Sequence, residues 1–138
     1  MTATAGWTRD GVQTSRQQNG QSVRVEEAIP VLRVTDAGSS IAWYTRLGYE
    51  AEWEHRFDPS APAFIRVTRH GASALFLSEH GADAGGPLVS GMVVYLRVDD
   101  VDSIAKQFDA EVVERPWARE VWLTDPDGNR LRIGAPRA

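Results

Sequence analysis

Two stretches of the chain carry the 3.6-residue apolar period of an amphipathic helix, and each is surrounded by shorter runs with strand composition. After Asp36, the residues Ala37, Ile41, Tyr44 and Leu47 recur on one helical face until Gly48; after Asp100, Val101, Ile104, Ala105 and Phe108 do the same. An Asp ahead of such a face can accept from the free N–H groups of the first turn, and a Gly just past it supplies the backbone conformation that stops the helix. Strands are predicted at 27–34, 49–57, 63–69 and 74–78 around the first helix. Around the second they fall at 92–98, 111–114, 119–124 and 130–133. Turns are marked by Asp58-Pro59-Ser60, by His70-Gly71, and by Asp125-Pro126-Asp127-Gly128-Asn129. Each half therefore reads as strand, helix, then three strands.

The halves are also alike in sequence. Val31 to Asp36 reads VLRVTD and Tyr95 to Asp100 reads YLRVDD, 64 residues apart, and a Ser-Ile-Ala follows each, at Ser40 and Ser103, 63 apart. A near-constant offset of this length marks a supersecondary unit used twice, because one unit alone cannot bury its apolar face. The prediction is a single α+β domain over 23–138, built from two βαβββ modules at about 25–80 and 91–134 that enclose a core or cleft.

Composition narrows the class. At 138 residues, 42% hydrophobic and 25% charged, the chain has single-domain size and ordinary globular composition. No apolar run approaches the about 18 residues that span a bilayer, and the first residues lack a secretory leader, so a cytoplasmic location without membrane contact is expected. The lack of cysteine excludes disulfides, thiolate metal sites and cysteine nucleophiles. A net charge of −4 argues against a nucleic-acid partner, which would need clustered Lys and Arg. Residues 1–22, rich in Gln and with Trp7 as their lone aromatic besides none other, carry neither period and read as a disordered arm. The stretch 81–87 reads as a linker.

The paired modules, the helix ending Tyr44-Thr45-Arg46-Leu47-Gly48-Tyr49 and the terminal DPDGN turn resemble the vicinal-oxygen-chelate superfamily, which holds glyoxalase I, extradiol dioxygenases, fosfomycin-resistance enzymes and bleomycin-resistance proteins. Arg115-Pro116-Trp117-Ala118-Arg119-Glu120, followed by Trp122 to Asn129, is similar to the signature of the bleomycin-resistance branch, as is Ile29-Pro30-Val31-Leu32. Ala118 departs from that signature, which has Gly there. The resemblance implies a glyoxalase/bleomycin-resistance-type fold with a partly closed curved sheet, and a homodimer with clefts at its interface. It also implies where a divalent metal would sit in the superfamily's enzymes: Ile29, Phe76, Val93 and Arg132. Three of these offer no lone pair and the fourth stays protonated, so neither a metal nor any other cofactor is expected. A one-residue slip substitutes Ala28, Leu75 or Leu77, Met92 or Val94, and Leu131 or Ile133, which serve no better.

The candidate ligand-binding residues are Trp53, Phe57, Tyr95, Trp117, Trp122 and Arg132. Five are aromatic and suit a flat ligand; by the resemblance, Trp53 and Trp117 fall where bleomycin-resistance proteins sandwich a planar drug tail. Phe57 and Trp122 are open to a core reading as well. Arg132 would need a carboxylate, from a nearby glutamate or from the ligand. Glu52, Glu54, Glu111, Glu114 and Glu120 read as a solvated outer face, with an acidic cleft lining as the alternative. His55, His70 and His80 share no ligand spacing; His55 has the strand parity of Trp53 and Phe57 and is the one placed to face a cleft. No nucleophile arrangement, phosphate loop or HExxH is present, and no catalytic residue is nominated. The expected function is metal-free sequestration of a planar, antibiotic-like small molecule. The alternatives are a glyoxalase-like lyase or isomerase using His55, Tyr95 or Glu120, and a biosynthetic accessory or ligand-sensing protein.

Overall fold

The computed structural model describes residues 26–81 and 91–137, together with the backbone of three strands ahead of them. These three, β1 (Gly6–Trp7), β2 (Gln13–Gln18) and β3 (Gln21–Arg24), form an antiparallel sheet in the order β1-β2-β3. The arm expected to be disordered thus carries strand pairing, with Gln17 opposite Ser22 and Gln18 opposite Gln21. A ladder satisfies backbone groups whatever the side chains are, so it leaves no apolar period to read. The rest of the arm and the side chain of Trp7 lie outside the described residues, as does most of the linker.

The first module runs β4 (Val31–Arg33), α1 (Ala37–Arg46), β5 (Tyr49–His55), β6 (Phe64–Arg69) and β7 (Ser73–Ser78). The second runs β8 (Val93–Arg97), α2 (Val101–Gln107), β9 (Val113–Glu114), β10 (Ala118–Thr124) and β11 (Arg130–Pro136). Both are βαβββ, and the sheet orders match, β4-β7-β6-β5 and β8-β11-β10-β9, with the leading strand parallel to the last one. Among the described residues no ladder joins the two four-stranded sheets, and they do not close into a barrel. β4 is shorter than the sequence suggests because Pro30 has no N–H to give. Its carbonyl still accepts from Phe76 N at 2.9 Å, and Val34 N donates to Ser78 O at 2.9 Å beyond the other end.

Both helices start as their sequences require. Asp36 accepts from Ser39 N at 2.9 Å, and Asp100 from Ser103 N at 3.0 Å. Gly48, at φ 98, takes the left-handed conformation that ends α1. Strand parity then sends Ile65, Val67, Leu75 and Leu77 of one sheet, and Val121, Leu123, Leu131 and Ile133 of the other, to the faces that the helices cover. Tyr44, Leu47, Val101, Ile104 and Ala105 meet them there, forming one buried core across both modules.

The DPDGN turn ties the modules together. Tyr44 Oη donates to Asp125 Oδ2 at 2.7 Å, Asn129 Nδ2 donates to Arg33 O at 3.0 Å, and Thr35 N and Oγ1 donate to Asp127 Oδ1 at 3.1 and 2.7 Å. Burial, and after it the Asp125 carboxylate, push the Tyr44 hydroxyl far above an ordinary phenol, so it stays a donor. The first module's counterpart turn, His70-Gly71, has both residues in the left-handed region and lacks carboxylate or amide groups aimed at α2. Among the described residues, no helix is long and apolar enough to cross a membrane.

Candidate functional site

The face of the second sheet turned away from its helix is fixed by register. Tyr95, Arg132 and Trp122 lie in one row across β8, β11 and β10; Arg97, Gly134 and Glu120 form the next row, and Val93, Arg130 and Thr124 the one before. At its centre is Glu120, whose side chain is 0% exposed. Arg132 Nε donates to Glu120 Oε1 at 2.8 Å, and Trp122 Nε1 to the same oxygen at 3.3 Å. Trp117 Nε1 and Tyr95 Oη donate to Oε2 at 2.9 and 3.0 Å. Arg115 Nε stands 3.9 Å from Oε1.

Burial alone would push the Glu120 carboxyl up, but the hydrogen bonds from Arg132, Trp117, Tyr95 and Trp122 outweigh it and hold the group down at about 2. The cover consists of the donors themselves, a thin layer of rings and one guanidinium with bulk water just beyond. Glu120 is therefore neither the solvated acid nor the base considered from the sequence. A carboxylate this weakly basic and this fully hydrogen-bonded is a poor proton acceptor at neutral pH. It acts as an anchor. Three rings are held by their polar ends while Trp117, Trp122 and Tyr95 remain 57%, 46% and 41% exposed. Trp122, left open between core and cleft by the sequence, lies on the open face.

Arg132 is enclosed by the same rings. Its guanidinium carbon lies 4.9 Å from the Trp122 ring centroid, 5.7 Å from that of Tyr95 and 6.0 Å from that of Trp117. The question of its partner is answered by the Glu120 pair. Gly134 completes the arrangement: a Cβ there would fall on the Tyr95 hydroxyl and lie 3.3 Å from Glu120 Cγ. Only a glycine leaves Tyr95 room to reach the carboxylate.

The first sheet builds its corresponding face differently. Val31, Phe76, Arg66 and Trp53 lie in one row, and Ser78, Phe64 and His55 in the next. Trp53 packs 5.8 Å from Phe76 and 6.1 Å from Phe64, and the two phenylalanines lie 4.7 Å apart. Beneath them Arg66, 1% exposed, donates to Glu52 at 3.0 Å and to Glu27 at 3.4 Å, and Thr68 Oγ1 donates to Glu52 at 2.9 Å. A register shift between Ala51 and Trp53 accompanies this placement of Glu52. Glu52 stays exposed, as the solvated reading expects, while its carboxylate reaches Arg66 and Thr68. Glu54 and Glu114, paired with Arg56 and with Arg119 and Arg137, keep that reading too, as does exposed Glu111.

Of the six residues expected to bind ligand, Tyr95, Trp117, Trp122 and Arg132 converge on Glu120. Trp53 belongs to the ring cluster of the other sheet. Phe57, 84% exposed, stands beyond the end of β5 with its ring against His55 at 5.2 Å. Trp53 and Trp117 thus occupy separate sheets of one chain. Gly134 and Arg66 escaped sequence reading as site residues, and Glu120 entered it only as an acid–base group or a cleft-lining acid, never as the anchor of the rings, although it shares the parity of Trp122. Between the leading ends of the modules, a groove of about 450 Å³ is lined by Ala28, Ile29, Pro30 and the start of β8.

The positions implied for a divalent metal do not fit one. Ile29, Phe76 and Val93 offer no donor atom, and Arg132 places a cation there with its Nε 2.8 Å from Glu120. Among the described residues, no three His, Cys, Asp or Glu side chains gather closely enough to hold a metal.

A family model described as "Glyoxalase superfamily protein" matches residues 12–137. No curated protein matches the chain in sequence. Among solved structures, TnmS3, an antibiotic-binding protein from Streptomyces sp. CB03234, is similar with a TM-score of 0.64 and 21% identity over 81% of this chain and 98% of that one. A bleomycin-binding protein in complex with bleomycin gives 0.58 and 23% over 82% and 100%. The fosfomycin-resistance protein FosX from Listeria monocytogenes gives 0.61 and 16% over 81% and 94%. At these identities the structural likeness is one of fold. The family match runs through both helices and both four-stranded sheets, and by it the chain belongs to the glyoxalase superfamily.

Proposed function

We propose that the protein binds a planar, antibiotic-like small molecule on the ring platform of the second sheet and sequesters it, without metal and without turnover. One observation carries this reading: the polar ends of Tyr95, Trp117 and Trp122 are fixed on one buried carboxylate while their exposed surfaces stay open. Rings already ordered in the free protein lose little entropy when a flat ligand stacks on them, and each stacked pair contributes about 0.5 to 1.5 kcal/mol beyond area burial. The reported neighbours that bind antibiotics share this fold.

The platform is half of a cleft in this reading. A homodimer would set the Trp53 cluster of one subunit opposite the Trp117 platform of the other. The exposed apolar residues Val93 and Met92, 61% and 39% accessible, support such a contact. Light scattering should then report about 30 kDa, twice the 15.2 kDa chain. A chain that remains monomeric at micromolar concentration refutes the shared cleft.

The test of binding is calorimetric titration with bleomycin and other planar antibiotics. Trp117→Ala should weaken the best ligand by about 2 kcal/mol, with the melt close to that of the parent. An unchanged dissociation constant would remove Trp117 from the site. Elemental analysis should find no stoichiometric divalent ion, and chelators should leave Tm unchanged.

A further inference from the structure

The charge on the platform face is opposite to that of an acidic cleft lining. Arg97, Arg130 and Arg132 all project from the face that carries Tyr95 and Trp122, by the register of β8 and β11. Glu120 is the acid among the rows described for that face, and it is already paired with Arg132. Arg97 and Arg130 make no ion pair among the described residues; Arg97 lies with its guanidinium carbon 5.7 Å from the Tyr95 ring centroid. The face therefore carries excess positive charge next to apolar rings.

Arg132 gives that charge a direction. Its Nε is taken by Glu120, and its guanidinium lies against the Trp122 ring. Neither of its two terminal nitrogens has a hydrogen-bond partner among the described residues, and the side chain is 29% exposed. Two parallel N–H donors on the open edge of a fixed fork match the two oxygens of a carboxylate. A lysine in its place would offer a point charge without this geometry.

We propose that the ligand is a planar aromatic carboxylate, its ring system on Trp117 and Trp122 and its carboxylate on the terminal nitrogens of Arg132, with Arg97 and Arg130 adding attraction. This rests on the reading of the platform as a binding site for a flat molecule and deepens it by fixing the ligand's charge. A ligand with an ammonium group at the same place is disfavoured, because it would meet three guanidinium groups.

The experiment uses the full chain and three matched probes, anthraquinone-2-carboxylate, anthraquinone-2-carboxamide and 2-(aminomethyl)anthraquinone, followed by quenching of tryptophan fluorescence. The carboxylate should bind about tenfold or more tighter than the carboxamide, the factor expected of hydrogen bonds to a charged partner, and the ammonium probe weakest of all. Arg132→Lys should remove most of that preference for carboxylate over carboxamide. Because this substitution also disturbs the Glu120 pair, Arg97→Gln provides a second variant. It should lower carboxylate affinity about threefold and leave the melt unchanged. Equal affinity for carboxylate and carboxamide, or preference for the ammonium probe, overturns the carboxylate assignment and leaves the planar-ligand reading standing. Binding by none of the three probes overturns both.

Discussion

The two sheets share strand order and a duplicated sequence, yet they finish their outward faces in opposite ways. In the first, three rings pack on one another over a cation, with Arg66 at 1% exposure beneath Trp53 and Phe76. In the second, the rings hang by their polar ends from an anion and leave their surfaces open. The exchange is positional: Phe76 is cross-strand neighbour to Arg66, whereas Arg132 is neighbour to Trp122. Ring and cation have traded strands. Where the ring sits on the last strand of its module, it meets other rings and closes the surface. Where the cation sits there, it fixes a carboxylate that spreads the rings apart. One scaffold thus gives a filled face and a receptive one through side-chain placement alone.

Glu120→Ala should break this contrast most severely, costing about 3 to 5 kcal/mol in urea denaturation, since Arg132 loses its partner and the indole and phenol donors lose their common acceptor. Next comes a matched pair. Phe76→Ala should cost about 2 to 4 kcal/mol because its ring is packed among others, while Trp122→Ala should cost about 1 kcal/mol and act mainly on ligand affinity. Equal losses of stability would erase the distinction between filled and receptive faces. Gly134→Ala comes third, at about 1 to 3 kcal/mol, as the new methyl displaces the Tyr95 hydroxyl from Glu120. A shift in tyrosine absorbance should accompany it.

The last effect is a dependence on pH confined to the acid range. Glu120 is depressed in the fold from 4.5 to about 2, so its contribution is complete above the unfolded value and is lost as pH falls through that window. Stability should therefore decline between about pH 4.5 and 2, and Glu120→Gln should flatten that part of the curve. An identical acid profile for both proteins would show that the carboxylate does not carry it.

The fold was legible because its signals are local. Asp36, Asp100 and Gly48 act within a helical turn of their own positions, and the repeated LRVxD pins each leading strand to the helix after it. The site was half legible. Trp117, Trp122, Tyr95 and Arg132 stand out by residue type, but the group that assembles them is a glutamate in a chain with many acids. Its role depends on β8, β10 and β11 meeting in register, which no local pattern reports. The pairing of Arg66 with Glu52 was hidden similarly, behind the register shift in β5. The arm shows the converse limit, since its pairing uses backbone groups common to every residue.

The contacts of the DPDGN turn also bear on how the molecule comes apart. Tyr44, Thr35 and Arg33 belong to the first module, yet their partners Asp125, Asp127 and Asn129 belong to the second. Neither half can open without stripping buried partners from the other, so the duplicated halves should lose their slowest-exchanging amide protons together, as one cooperative unit.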